Sequence, residues 1–334
     1  FFIITMYLIP IITSNNYHYL HRLAKRTVPI LHKKNRFDLV MDREKNGDTN
    51  QLISEMIKSG KPFMVGRLGS TETRFLVNQS LQKKIGSDFS GIAKTLSGDI
   101  NILWKKDAVF LDNLCLLSGF FPNDPALSEK FTEIYNQSIA NLDVLGVWNE
   151  MEFQVENIPD EVKLCKIREL EPWFYDEPWS YQLKGKKVLL VHPFEESIKH
   201  QFAQKDLLYK NPKMLPDFEL KTIKAVQTIA GQKSEFETWF DALESMKDQI
   251  SKTDFDIAII GCGAYGFPLA SYVKDLGKQA IHLGGVTQLL FGIKGKRWEE
   301  WEHYTELRKN NGENWIFTQD IPKDFEKIEG GCYW

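Results

Sequence analysis

The sequence has few cysteines, and they form no pattern. Its four cysteines lie far apart in a chain of 334 residues and include no Cys-x-x-Cys pair: Cys115, Cys165, Cys262 and Cys332. Zinc sites and disulfide frameworks are normally signalled by closely spaced cysteines, so neither is indicated. We therefore expect a reducing compartment and predict a cytoplasmic protein.

An excess of charge of one sign is also lacking. The chain has 42 Lys and Arg residues against 45 Asp and Glu residues, which gives a formal net charge of −3. Domains that bind nucleic acid usually carry a basic face and a pI above about 9. The composition therefore predicts no nucleic-acid partner, and an anionic ligand would have to be held by local cationic groups.

No apolar run is long enough to cross a bilayer. The most apolar stretch, 1–13, is interrupted by Pro10, whereas a hydrocarbon layer needs about 20 residues. Basic residues follow between His21 and Arg36. We treat 1–47 as an N-terminal apolar and basic segment, which either makes peripheral contact with the cytoplasmic face of a membrane or forms a solvated helix on the body of the protein.

The remainder of the chain, 48–334, alternates between strand and helix patterns. Helices are predicted at 49–59, 72–77, 195–205, 236–251 and 268–276, and strands at 63–65, 144–148, 187–192, 221–227, 256–260 and 279–283. Such alternation predicts a parallel sheet covered on both faces. We predict one α/β domain with a Rossmann-like, mostly parallel sheet, helices on both faces and a helical insertion at about 80–145.

Ligands of such sheets bind beyond the carboxyl ends of the strands, where the sequence has turns at 66–72, 192–197 and 261–266. The first turn contains Arg67, Ser70 and Glu72, a cation, a hydroxyl and a carboxylate that could meet one ligand. With phosphate oxygens as further ligands, Glu72 could hold a divalent ion. Alternatively, Glu72 caps its own helix and pairs with Arg67.

The second turn offers candidate bases. His192 ends a buried strand, where a neutral imidazole could accept a proton or bind phosphate, although a satisfied core histidine is an equal alternative. Glu195 lies four residues before Lys199, so it is either a base or half of a surface ion pair. His282, at the end of a later strand, has the same two interpretations as His192.

The third turn, Gly261-Cys262-Gly263-Ala264-Tyr265-Gly266, has the Gly-x-Gly-x-x-Gly spacing between a strand and a helix. Backbone amides around Gly261, Gly263 and Gly266 could hold a phosphate. Dinucleotide enzymes also place an acidic residue at the end of the next strand, where this sequence has His282-Leu283-Gly284. This disfavours NAD and leaves another nucleotide's phosphate or close packing of helix on strand.

Residues 288–298 are predicted to form a flexible basic loop. Lys294 and Arg297 lie in it together with aromatic Trp298. The loop could close over an anionic donor, or it could be a solvated surface loop.

One turn also resembles a known family. Val65-Gly66-Arg67-Leu68-Gly69-Ser70-Thr71-Glu72 resembles the Arg-Phe-Gly-Asp-Gly-Glu signature of GT-D-type glycosyltransferases, and 256–284 looks like that family's C-terminal half. The resemblance implies a nucleotide-sugar donor and a divalent metal, Mn²⁺ or Mg²⁺, held on the diphosphate by an Asp-x-Glu pair. Arg67, Gly69 and Glu72 match the signature, whereas Ser70 stands at the position of the Asp and cannot supply its charge.

We therefore expect a hexosyltransferase-type enzyme that transfers a sugar from a nucleotide-sugar donor to a glycan acceptor in cell-surface polysaccharide synthesis. Glu72 with a metal, or Arg67 with cations at 294–297, would neutralise the leaving diphosphate, and His192 or Glu195 would act as base. Two alternatives remain: a catalytically silent nucleotide-binding or assembly protein, favoured by Ser70, and an NAD-dependent oxidoreductase.

Overall fold

The computed structural model describes residues 40–41, 48–85, 109–229, 234–299, 301–321, 325–327 and 330–334. The helices are α1 Asp48–Ser59, α2 Ser70–Ile85, α3 Val109–Ser118, α4 Ser128–Ala140, α5 Glu195–Ala203, α6 Trp239–Lys252, α7 Gly266–Asp275, α8 Thr287–Leu290 and α9 Glu302–Asn311. The strands are β1 Phe63–Gly66, β2 Val144–Val147, β3 Lys163–Lys166, β4 Lys187–His192, β5 Glu219–Lys224, β6 Ile257–Ile260, β7 Gln279–His282, β8 Ile293–Lys294 and β9 Ile316–Phe317. Apart from residues 40 and 41, the predicted N-terminal segment 1–47 lies outside the described residues.

Strands β1 to β7 form one seven-stranded sheet in the order β3-β2-β1-β7-β6-β4-β5. Every pair of neighbours in it is parallel. This confirms the predicted α/β class with a Rossmann-like parallel sheet. Strands β8 and β9 pair with each other in a separate two-stranded sheet.

The strand order brings four carboxyl ends side by side. In the middle of the sheet, Val65 of β1 is opposite Val144 of β2 and Ile281 of β7. Strands β7, β6 and β4 follow in that order on the β7 side. Because all strands run in the same direction, the turns after β1, β7, β6 and β4 meet at one edge of the sheet.

The central strands are buried on both faces because alternate side chains enter two separate cores. In β4, Leu189 and Val191 enter the first core, whereas Val188 and Leu190 enter the second. Helices α2, α3, α4, α6 and α7 cover the first core, and α1, α5, α8 and α9 cover the second. The predicted placement of helices on both faces is confirmed.

Local signals explain where the helices begin. Thr238 accepts a hydrogen bond from the Asp241 backbone N–H, and the Asp241 carboxylate accepts one from the Thr238 N–H, a capping box that starts α6 at Trp239. The predicted start at 236 missed this box. Helix α2 begins at Ser70, two residues before the predicted start.

The described part of the predicted helical insertion packs on the sheet. Phe131 of α4 lies 5.0 Å from Phe120 and 5.2 Å from Trp239 between ring centroids. All three rings belong to the first core. Residues 86–108, within the same prediction, lie outside the described residues.

Among the helices of the described ranges, none has both the length and the apolar character needed to cross a membrane.

The prediction of a flexible loop at 288–298 is wrong. Lys294 belongs to β8, and Trp298 is buried. The Gln288 side chain, 1% exposed, donates hydrogen bonds to the carbonyls of Lys294 at 2.8 Å and Tyr333 at 3.1 Å. These buried amide bonds fix the segment against the second core.

Candidate functional site

A cavity of about 980 Å³ opens at the carboxyl edge of the sheet. All three predicted turns contribute to its lining, together with segments that the sequence analysis did not select. The predicted site residues that line it are Arg67, Gly69, Ser70, Glu72, His192, Gly261, Gly263, His282 and Arg297. Glu195, Gly266 and Lys294 are not among its lining residues.

Arg67 follows β1 and is half-buried in this cavity. Its guanidinium carbon lies 5.5 Å from the centroid of the Trp148 ring. The Trp148 indole N–H donates to the Leu68 carbonyl at 3.0 Å, which fixes the ring. Within the described part of the chain, Arg67 makes no ion pair. The cavity therefore contains a cation that lies against an aromatic ring and has no directly bound counter-ion among the described residues.

Glu72 lies in the first turn of α2 and is 7% exposed. Burial raises the pKa of its carboxyl, while hydrogen bonds from its own backbone N–H and from Ser118, and the charge of Arg67, act in the opposite direction. The carboxylate folds back over Gly69, where it leaves no room for a Cβ atom. The Glu72 carboxylate thus accepts a hydrogen bond from a backbone N–H at the start of its own helix. The alternative of a direct ion pair with Arg67 is not observed.

The groups around Glu72 do not fit a metal held by the protein. Divalent ions on phosphates need ionised carboxylates or similar oxygen donors. Ser70 supplies no carboxylate, and the Glu72 carboxyl is buried with a raised pKa. In the described ranges, no group of three or more His, Cys, Asp and Glu side chains is arranged to hold a metal ion. We therefore derive no chemical step through a metal.

His192 is 3% exposed, and burial lowers its pKa to about 3. Its Nδ1 accepts a hydrogen bond from the Phe194 backbone N–H at 3.0 Å. A neutral imidazole that accepts at Nδ1 carries its proton on Nε2. In this state His192 can donate to a ligand oxygen from Nε2, and the arrangement does not support the predicted role as general base, which stays a prediction.

The predicted base Glu195 is occupied elsewhere. Its carboxylate accepts a hydrogen bond from Thr222 and pairs with Lys199 at 2.9 Å. Because Glu195 does not line the cavity, the alternative of an (i, i+4) ion pair is the correct one.

The three glycines of the third turn are needed for packing and backbone conformation. Gly261 lies against Thr287 and the Gly284 carbonyl, with no room for a Cβ atom. Gly263 has φ +56°, and a Cβ at Gly266 would lie 2.6 Å from His282 Nε2. Gly261 and Gly263 line the cavity, whereas Gly266 does not, so nothing in the cavity geometry supports the prediction that Gly266 contacts the donor.

His282 ends β7 between Arg67 and α7. It is 5% exposed, and burial, followed by the charge of Arg67, lowers its pKa to about 3. Among the described residues, neither ring nitrogen has a hydrogen-bond partner. The strand therefore ends in a neutral imidazole at the position where dinucleotide enzymes place an acidic residue, which gives no support to NAD binding.

The sequence analysis missed the wall formed by the segment after β3. Lys166 and Arg168 line the cavity, and the Arg168 guanidinium carbon lies 6.0 Å from the Trp301 ring centroid. Glu171 accepts hydrogen bonds from the Tyr304 hydroxyl at 2.9 Å. The strand before this segment, Lys-Leu-Cys-Lys at 163–166, has neither a polar–apolar alternation nor a long apolar run, so no local pattern located it.

The cavity has more cations than anions although the chain is slightly acidic. Its lining cations are Arg67, Lys166, Arg168 and Arg297, and its lining carboxylates are Glu72, Glu169 and Glu171. The carboxylates already have partners, since Glu169 accepts from Thr49 at 2.6 Å and Glu171 accepts from Tyr304. The cavity therefore suits an anionic ligand.

The two predicted cations of the segment at 288–298 differ in position. Arg297 donates to the Tyr333 hydroxyl at 2.9 Å and lies 4.8 Å from that ring's centroid. Lys294 instead lies 5.8 Å from the Phe317 ring, outside the cavity lining. This position gives no support to the prediction that Lys294 binds the donor.

Comparisons with models of protein families, with curated proteins and with solved structures found no match to this chain. The function must therefore be inferred from the chemistry of the cavity and from the turn at 65–72.

Proposed function

We propose that the chain is a glycosyltransferase that moves a sugar from a nucleotide-sugar donor to a glycan or polysaccharide acceptor. The observation that carries the proposal is Arg67, a half-buried cation beyond the central strand that has no ion pair with any described residue. A charge removed from water is costly unless it is paired. The diphosphate of a nucleotide sugar would supply the missing counter-ion.

The dimensions and lining of the cavity support this ligand class. A volume of about 980 Å³ lies at the upper end of the roughly 300–1,000 Å³ typical of ligand pockets. A nucleotide sugar combines a flat base, a diphosphate and a polyhydroxyl ring, and the cavity presents aromatic rings beside guanidinium groups. The resemblance of the turn at 65–72 to GT-D-type enzymes points to the same donor class.

The proposed reaction breaks the bond between the anomeric carbon and the diphosphate and forms a bond from that carbon to an acceptor hydroxyl oxygen. The acceptor hydroxyl loses its proton to solvent water, and the leaving nucleoside diphosphate takes the bonding electron pair and gains negative charge. Arg67 and Arg297 neutralise that charge, and the Nε2–H of His192 donates to a ligand oxygen. The proposed setting is cell-surface polysaccharide synthesis at the cytoplasmic face of the membrane, for which the basic residues at 21–36 are the motivation.

Nucleotide binding by Arg67→Gln tests the proposal. Thermal-shift measurements with UDP, GDP, dTDP and CMP select the nucleotide, and calorimetry then gives Kd for wild type, Arg67→Gln and the control Arg308→Gln. Arg308 pairs with Glu299 at 2.9 Å outside the cavity lining. We expect Arg67→Gln to weaken binding at least about tenfold, or roughly 1.4 kcal/mol, and the control to match wild type.

Equal Kd values for wild type and Arg67→Gln would contradict the proposal. Turnover is measured as nucleoside diphosphate released in the presence of a glycan, with and without a chelator. Because arginines neutralise the leaving group, we expect chelation to leave the rate unchanged. Loss of turnover that added Mn²⁺ or Mg²⁺ restores would show that Glu72 binds metal after all.

A catalytically silent nucleotide-binding or assembly protein is the second candidate. It is favoured by Ser70 at the position of the signature Asp, and by the engagement of His192 and Glu195 in other contacts. This candidate predicts the same Arg67-dependent nucleotide binding, but no release of nucleoside diphosphate from any nucleotide-sugar donor.

A further inference from the structure

Two tryptophans at the cavity are exposed, although most of the large aromatic side chains in the described ranges are buried or half-buried. Trp148 is 38% exposed and Trp301 is 48% exposed, and both line the cavity. We call this pair the tryptophan rim. Each ring has a guanidinium group near it, Arg67 at 5.5 Å from Trp148 and Arg168 at 6.0 Å from Trp301. Such cation–π contacts hold the rings while leaving part of each accessible.

Contacts on neighbouring residues position both members of the rim: a hydrogen bond holds the Trp148 ring, and ring packing on Tyr304 supports Trp301. The Trp148 side chain is held by its hydrogen bond to Leu68, and its backbone N–H donates to Glu152 at 3.1 Å. At the start of α9, the Trp301 carbonyl accepts a hydrogen bond from the Tyr304 backbone N–H at 3.0 Å. The centroids of the Trp301 and Tyr304 rings lie 6.0 Å apart. Binding a ligand would therefore require little ordering of these side chains.

The rim continues into an aromatic wall that leads inward. From Tyr304 the ring contacts pass to Trp298 at 6.5 Å and from Trp298 to Tyr333 at 5.9 Å. Tyr333 accepts the hydrogen bond from Arg297. The wall thus connects solvent-exposed Trp301 with the cations that are proposed to hold the diphosphate.

The chemistry of the rim matches a chain of sugars. A pyranose ring has an apolar C–H face that packs on an indole and hydroxyl groups that bond to neighbouring cations. Arg168 and Lys166 line the same cavity as Trp301. A nucleobase also stacks on tryptophan, but it is one ring system and needs one platform. Two separate exposed platforms fit a ligand of more than one sugar unit better.

We propose that Trp148 and Trp301 bind the acceptor as an oligosaccharide chain whose end reaches the cations of the cavity. The identification of the bound chain as the acceptor rests on the proposed transferase function. Binding of a carbohydrate chain to the rim does not, so the two can be tested separately.

The test is calorimetric titration of the protein with cellohexaose, maltohexaose and chitohexaose, with glucose and UMP as comparison ligands. The variants are Trp148→Ala, Trp301→Ala and Trp301→Phe. Phe317→Ala is the matched control, because Phe317 is 44% exposed with Lys294 5.8 Å from its ring, but it lies outside the cavity lining. Circular dichroism and urea midpoints verify that each variant is folded.

We expect at least one hexasaccharide to bind wild type more tightly than glucose does. Trp148→Ala and Trp301→Ala should each weaken that binding about tenfold. Trp301→Phe should retain most of the affinity because it keeps a ring, and Phe317→Ala should equal wild type.

Three results would overturn the proposal: no hexasaccharide binds wild type, the alanine variants bind as wild type does, or the variants lose affinity for UMP but not for the hexasaccharide. The last would identify the rim as a nucleobase platform. If the hexasaccharide binds through the rim while no nucleotide binds wild type, the carbohydrate site stands and the transferase function fails.

Discussion

Gly266→Ala provides the sharpest test of the turn after β6. Gly266 has φ −61° and ψ −41°, an ordinary helical conformation, so an alanine there suffers no backbone strain. An added Cβ would instead lie 2.6 Å from His282 Nε2 and 2.7 Å from Cδ2. His282 is 5% exposed on a central strand and its ring packs edge-on against Phe267, with 5.9 Å between centroids. The ring therefore has little space into which it can move.

The expected energy follows from two opposing effects. Overpacking a buried site costs about 1–3 kcal/mol. Replacing a glycine in a compatible conformation contributes about 0.4–1 kcal/mol of stability through the unfolded chain. We expect Gly266→Ala to lower the free energy of unfolding by about 1–2 kcal/mol. In a His282→Ala background the ring is absent, so the same substitution should be neutral or stabilising.

Urea unfolding of wild type, both single variants and the double variant measures this coupling. Equal m-values are required for the comparison. A coupling energy within about 0.5 kcal/mol of zero would refute the packing argument. Nucleotide binding adds a second readout: if Gly266→Ala weakens it further in the His282→Ala background, Gly266 contacts the ligand and does not merely accommodate the imidazole.

Two further predictions concern pH. Burial raises the pKa of Glu152 from 4.5 to about 8, so the stability that its protonation contributes is present below pH 4.5 and is lost as the pH rises towards 8. Over this range Glu152→Gln should lose less free energy of unfolding than the wild type, with a difference of at most about 1.4 kcal/mol per pH unit. Urea unfolding measures this free energy at each pH, and the same pH dependence in wild type and variant would contradict the prediction. For His192 and His282, burial lowers the pKa from 6.5 to about 3, so their contribution is present above pH 6.5 and is lost as the pH falls towards 3. Their NMR C2–H shifts should stay constant between about pH 5 and 8, and a titration midpoint in that interval would show that the imidazoles are not buried in neutral form.

The sequence predicts the central strands well because a parallel strand is buried on both faces and appears as a continuous apolar run. β4 has the predicted bounds, Lys187–His192. β3 lacks such a run: it starts and ends with lysine, and its first residue is exposed. Its extended conformation depends on pairing with β2, where Leu145 is opposite Leu164. That partner lies in a different part of the chain, which is why local patterns did not reveal the strand.

The sequence also indicated which edge of the sheet carries the cavity, because polar and glycine-containing turns follow several strands. It did not indicate what each polar side chain contacts. Glu195 pairs with Lys199 on its own helix, whereas Arg67 lies against Trp148, which follows another strand. The Gly-x-Gly-x-x-Gly pattern has the same difficulty, since close packing against His282 and close approach of a phosphate both require the absence of a side chain at Gly266.

The net charge of the chain and the charge of its cavity act over different distances. At physiological ionic strength the Debye length is about 8 Å, so the overall charge of −3 is largely screened from a ligand at the cavity mouth. Arg67 is half-buried beside Trp148, where solvent screens a bound phosphate less. An anionic donor would therefore gain little attraction until it enters the cavity and meets Arg67 directly. Because Arg67 has no ion pair with any described residue, a bound phosphate would not have to displace such a partner, and this would favour the proposed site in the cavity over surface lysines that are already paired.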